Sequence, residues 1–154
     1  MRQAQYALSA PFVITGTGCI AAGGLVSAVT APVPNEASAW AVAYLVLVCG
    51  LAQVLLGSGR VLLSPTSPPW RRITAECVGW NVANAAILVG NLADLASLLY
   101  LGAVLLLLDI GLLLQGVRRS ACTTRWPVYT YRALAALLAV SVPVGLLLAR
   151  LRPD

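Results

Sequence analysis

The chain has 154 residues, of which 60% are hydrophobic and only 10% charged. A soluble domain carries about a quarter charged residues, so a soluble globule and a disordered chain are both excluded. The net charge of +5 comes from ten basic residues, all arginine, against five acids, with no histidine. Because the arginines fall between apolar runs, they read as topology signals and contacts for anionic lipid, and no nucleic-acid partner is expected. The missing histidines remove bis-histidine haem, histidine-bound metal and imidazole bases, and no cofactor is expected.

Apolar runs of about 20 residues match a hydrocarbon core roughly 30 Å thick, crossed at about 1.5 Å per residue. Backbone groups in lipid are satisfied only in helices or closed barrels. A run such as AVLLLLDIGLLL (103–114) does not alternate as a barrel strand does. The predicted fold is therefore all-α: a polytopic transmembrane helical bundle of about five spans in a single integral membrane domain.

The first span is predicted at 11–31. A cleaved signal peptide is disfavoured: the leading residues are nearly uncharged, and Pro32 would follow the cut after Ala31. Gly16-Thr17-Gly18 ahead of Cys19 makes a poor lipobox. Gly18/Ala22 and Gly23/Ser27 spacings let helix backbones approach closely, so this helix is expected to pack centrally. Residues 32–38 form a turn holding Glu36. The second span, 38–58, starts with Trp40 and Tyr44 as an aromatic belt and has Gln53 as its lone strong polar group. The loop 59–72 carries Arg60, Arg71 and Arg72, and its prolines forbid a continuous helix.

The third span, 73–92, is the most polar. Cys77, Asn81, Asn84, Leu88 and Asn91 recur at spacings of 4, 3, 4 and 3, which places them on one helix face. Such a face looks at protein or water. Interhelical hydrogen bonds, at about 0.6 kcal/mol each, account for it, with the wall of a substrate cavity as the sharper alternative. After a break at 91–94 the fourth span, 95–117, carries Asp109 among its leucines. The next loop holds Arg118, Arg119 and Arg125, and the fifth span, 128–149, should kink at Pro143. Trp80, Trp126, Tyr129 and Tyr131 are expected as anchors at one membrane boundary. Cys19, Cys49, Cys77 and Cys122 show neither paired nor metal-ligand spacing and read as packing residues.

With the N-terminus in the cytoplasm, the arginine loops lie inside and only Glu36 and Asp94 lie in the opposite loops. A multi-pass plasma-membrane protein is expected. Arg150 and Arg152 disagree with that orientation, leaving four spans plus an interfacial segment as the fallback.

Depth ties the polar residues together. Asp109 lies roughly 13 Å from the arginine-rich edge, Arg132 roughly 9 Å and Gln53 roughly 10 Å, with Glu76 and Asn81 entering from the same side. A charge near the membrane centre costs about 2.5–3.5 kcal/mol. The expected relief is an Asp109–Arg132 ion pair with hydrogen bonds from Gln53 and Asn81, or else protonation of the acid. Glu76 is placed to pair with Arg72, one turn earlier. Nucleotide-binding and hydrolase signatures are absent from the sequence, so an enzyme is disfavoured. The leading expectation is an accessory or scaffolding subunit that binds itself or another membrane protein. The alternative is a small proton-coupled transporter using the Asp109/Arg132 layer. An enzyme acting on lipid through Glu76 or Asp109 ranks last.

Overall fold

A computed structural model describes the backbone of residues 2–64, 67–118 and 125–151, and the side chains of 7–64, 67–118 and 126–144. Among the described residues there are helices and no strands: α1 (Arg2–Thr30), α2 (Glu36–Leu62), α3 (Trp70–Leu92), α4 (Ala96–Val117) and α5 (Arg125–Leu151). Each contains a segment long and apolar enough to cross a membrane, as a small multi-pass membrane protein requires. The predicted spans coincide with these helices to within a few residues, with two differences. Pro11 lies inside α1 rather than at its start; its own carbonyl accepts a hydrogen bond from Thr15 Oγ1 at 2.7 Å. Arg60 belongs to the last turn of α2 rather than to a loop.

Two local devices fix the helix ends. Asn35 caps α2 by accepting from the Ser38 amide at 2.8 Å, while Ser38 Oγ accepts from the Asn35 amide at 3.3 Å; two otherwise orphaned donors are thereby satisfied. Between α3 and α4, Asp94 takes the left-handed conformation with φ of 54°. The Leu95 amide then reaches back to Gly90 O at 2.8 Å, closing a Schellman-type cap.

Helix α3 is the most enclosed of the five, and its tightest partner is α4. A Cβ on Gly102 would lie 2.8 Å from Ala83 O and from the Ile87 amide nitrogen, so these two backbones nearly touch. The expected central place of α1 is therefore corrected. Helix α1 packs mainly along α2, using Gly16 and Gly23, while Gly18 and Gly24 face open space. Spacing identified small residues, but only the seven-residue repeat of Gly16 and Gly23 follows the line of contact.

Where α1 crosses α2, residues Leu45–Ala52 wind as a π-helix. At that crossing a Cβ on Gly16 or on Gly50 would come within 3.0 Å of the other's carbonyl oxygen. Helix α5 leans on α4 and on the Gln53–Leu62 part of α2. The core running through α2, α3 and α4 includes Leu56, Ile73, Trp80, Leu106, Ile110 and Leu113.

Candidate functional site: a charged layer at the arginine-rich end

The end of α2, the start of α3, the end of α4 and the start of α5 meet at one side of the bundle. Arg60 is 2% exposed. Its guanidinium lies directly over Gly116 of α4, where any Cβ would collide with it. Arg60 Nη1 donates to Ser64 Oγ, and Ser64 Oγ donates to Gly116 O at 3.3 Å. Arg60 Nε stands 3.4 Å from Glu76 Oε2, an ion pair whose two atoms lack hydrogen-bond geometry. Glu76 is itself 4% exposed, and its other oxygen accepts from Arg72 Nε at 2.9 Å. The expected Glu76–Arg72 pair is thus present, joined by a second, inner arginine. Arg72, at 46% exposed, forms the outer member of this triad.

Asp109 is 5% exposed. Its Oδ1 occupies the space that Gly79 leaves open on α3, where a Cβ would sit 3.0 Å away. Its Oδ2 is buried without a hydrogen-bond partner, and its charge interacts with that of Glu76. The expected ion pair with Arg132 is not formed: Arg132 is exposed, and the buried Oδ2 of Asp109 has no hydrogen-bond partner among the described residues. The residue of α5 that faces the layer is Tyr131. Its ring packs on Gly59, with Cδ2 2.6 Å from where a Cβ would lie, and its hydroxyl is buried and unpartnered. It lies within electrostatic range of Arg60, Glu76 and Asp109. Adjacent residues on a helix point about 100° apart, so burying Tyr131 turns Arg132 away.

Gln53 and Asn81 also differ from expectation, since neither donates to Asp109. Gln53 Nε2 donates to Thr15 Oγ1 at 2.7 Å and lies 3.6 Å from Cys77 Sγ. Asn81 Nδ2 bonds back to Cys77 O at 2.7 Å. They belong to a neutral network that joins α1, α2 and α3 beside the charged layer. Asn84, further along α3, accepts from Tyr44 OH at 2.7 Å and donates to Trp80 O at 2.8 Å. Tyr44 in turn stacks on Trp40 with centroids 5.0 Å apart. The polar seam is buried at Cys77 and Asn84 but reaches the surface by Asn91.

Trp80 is a further correction: it is fully buried in the core, with Nε1 unpartnered. Trp126 and Tyr129 are exposed, as boundary anchors would be. Cys19, Cys49 and Cys77 are free thiols; Cys122, Arg119 and Arg152 lie outside the described residues, as do the side chains of Arg125 and Arg150. Arg60 has the least conspicuous signal of the residues in the layer, because it stands beside a proline-rich loop. Its signal is register: Gln53, Leu56, Gly57 and Arg60 recur at helical spacing on one face.

The layer therefore holds two carboxyls, two guanidiniums and a phenol, drawn from four helices. It can hold or release a proton at a carboxyl while its arginines stay charged. Comparison with protein-family models, curated proteins and solved structures gives no match for this chain.

Proposed function

We propose that this chain is a small proton-coupled membrane carrier whose exchanging group is the Asp109 carboxyl. The supporting observation is the contrast between the two buried acids. Glu76 has an arginine on each oxygen, whereas Asp109 has a buried oxygen with no partner and no arginine in contact. An ionised carboxylate at this depth is costly without a paired cation. Once protonated, the same oxygen becomes a donor that nearby acceptors can use. A purely scaffolding helix bundle needs no such group. The orientation that goes with this reading puts the arginine-rich end in the cytoplasm of a plasma membrane, against anionic lipid.

Infrared difference spectroscopy on the full chain in lipid tests the reading without a substrate. The carbonyl band of a protonated carboxyl should rise and fall with pH and vanish in Asp109→Asn. A spectrum with no pH-responsive carboxyl band, or one unchanged by Asp109→Asn, would remove Asp109 from the role.

One observation favours a second reading, an accessory subunit or homo-oligomer. Side chains placed at Gly18 or Gly24 of α1 would meet nothing, and Ala21, Leu25 and Ala28 are exposed beside them. Close helix association in lipid uses faces of this type. Photobleaching step counts in liposomes should fall to one per particle in Gly18→Ile if this face joins two copies.

A further inference from the structure

Helix α3 is the most enclosed of the five, yet one of its faces is open along most of its length. Arg71, Ala75, Val78, Val82, Ala85 and Val89 recur at spacings of 4, 3, 4, 3 and 4, and all six are exposed. At about 100° per residue they fall within about 40° of the direction of Arg71. The face is therefore a track of small apolar side chains headed by a single cation. The open face of α4 differs on both counts. It presents the larger Leu101, Leu108 and Leu112, and Arg118 lies about 100° around the helix from them.

The charges at this end do not balance. Among the described side chains, Arg60, Arg71, Arg72, Arg118 and Arg132 stand against Glu76 and Asp109, five cations to two acids and an excess of three. Arg72, next to Arg71, donates through Nε to Glu76 at 2.9 Å. The Nη1/Nη2 edge of its half-exposed guanidinium has no partner among the described residues. Such an edge takes phosphate oxygens two at a time. Trp70, directly before the two arginines, is 53% exposed, and an exposed indole at the end of a span marks the headgroup level. Arg71 and Arg72 thus stand at the depth of the bilayer's phosphates.

We propose that one anionic glycerophospholipid, from the leaflet at the arginine-rich end, occupies this face of α3. Its phosphate accepts from Arg71, with the outer edge of Arg72 beside it, and one acyl chain runs over Ala75, Val78 and Val82. The lengths agree. Arg71 to Val82 rises about 16 Å, and one leaflet is half of a hydrocarbon core roughly 30 Å thick. A headgroup of net negative charge offsets the excess at this end, whereas a zwitterionic one brings its own cation. Alanine and valine let the chain lie close to the helix, where many small dispersion contacts add up. Arg72 then fastens the lipid to Glu76 and so to the charged layer. The inference goes beyond the carrier reading and holds whether or not Asp109 exchanges a proton.

The test extracts the full chain from vesicles of equal parts phosphatidylglycerol and phosphatidylcholine and counts the retained lipid by native mass spectrometry. The expected result is one phosphatidylglycerol per chain, retained about ten-fold over phosphatidylcholine. Arg71→Gln should bring the two lipids to parity. Val78→Phe, which alters no charge, should also lower retention by obstructing the track. Arg118→Gln removes the same charge from the same end and should leave retention as it was. These three side chains are exposed and lie outside the Glu76 triad, so the fold is not at stake. Equal retention of both lipids by the unaltered chain would overturn the proposal. So would a loss in Arg118→Gln as large as in Arg71→Gln, which would leave only a diffuse field. Displacement of the lipid by inorganic phosphate would overturn the acyl track. Lipid-free dimers that Val78→Phe splits into monomers would give the face to a second copy of the chain instead.

Discussion

The two ends of the α3–α4 hairpin are both built on glycine, yet the glycines serve opposite ends. Near the turn, Gly90 and Gly102 remove side chains so that backbones can meet: a Cβ on Gly90 would lie 2.6 Å from the Leu99 amide nitrogen. At the arginine-rich end, Gly79, Gly116 and Gly59 remove side chains so that other side chains can enter, namely Asp109, Arg60 and Tyr131. In lipid no hydrophobic drive pushes helices together, and close contact must supply the adhesion. The turn end gets its adhesion from that contact. The arginine-rich end gives up backbone contact to house ionisable groups, and it is held by charge instead.

Substitutions that touch only one end should separate these two ways of holding. The largest effect is expected for Glu76→Leu, which leaves Arg60 buried without its acid. A loss of about 3–5 kcal/mol is expected, read by reversible unfolding in mixed micelles. A loss below about 1 kcal/mol would mean that Arg60 shifts to Asp109 and that the layer is more plastic than its glycine notches suggest. Next comes Gly90→Ala, where the neighbour is backbone and cannot step aside; overpacking of this kind costs about 1–3 kcal/mol. Gly79→Ala should cost less, since Asp109 Oδ1 ends a side chain that can turn, but it should shift the Asp109 carboxyl band.

Smaller again is Tyr44→Phe. It removes the bond to Asn84 and should cost about 0.6 kcal/mol, with no change in the carboxyl spectrum. The smallest expected effect has the opposite sign. Asp94 adopts a left-handed conformation that glycine takes without strain, but glycine also loosens the unfolded chain, so Asp94→Gly should stabilise by no more than about 0.4 kcal/mol. A destabilisation there would show that the Asp94 side chain contributes to the turn.

The features of this chain that are legible in its sequence are those that one-dimensional quantities decide. Apolar length located all five helices, because a span is set by the thickness it must cross. Direction around a helix is another matter. Arg132 and Tyr131 share a depth but point about 100° apart, and only packing against Gly59 decides which of them turns inward. The amphipathic indole of Trp80 suits a membrane boundary, although its spacing of four from both Glu76 and Asn84 matches the buried face it occupies. In the sequence Arg60 reads as part of a loop, because prolines follow it within a few residues. The helix in fact persists through Leu62, and its last turn delivers the cation that the acid of α3 needs.

The wide winding at Leu45–Ala52 has an effect well beyond its own eight residues. A π-turn takes up more chain per revolution than an ordinary one, so it fixes the phase of everything downstream. Deleting a single residue there, such as Val48, would let α2 relax to a regular pitch while the stripe from Gln53 to Arg60 keeps nearly its present direction, because the wide turn is what absorbs the extra residue. The same deletion in the regular turns beyond it, such as Val54, would swing Arg60 by about 100°. Helix α2 can therefore lose one residue within the wide turn, but not between that turn and Arg60, without turning its charge away from Glu76.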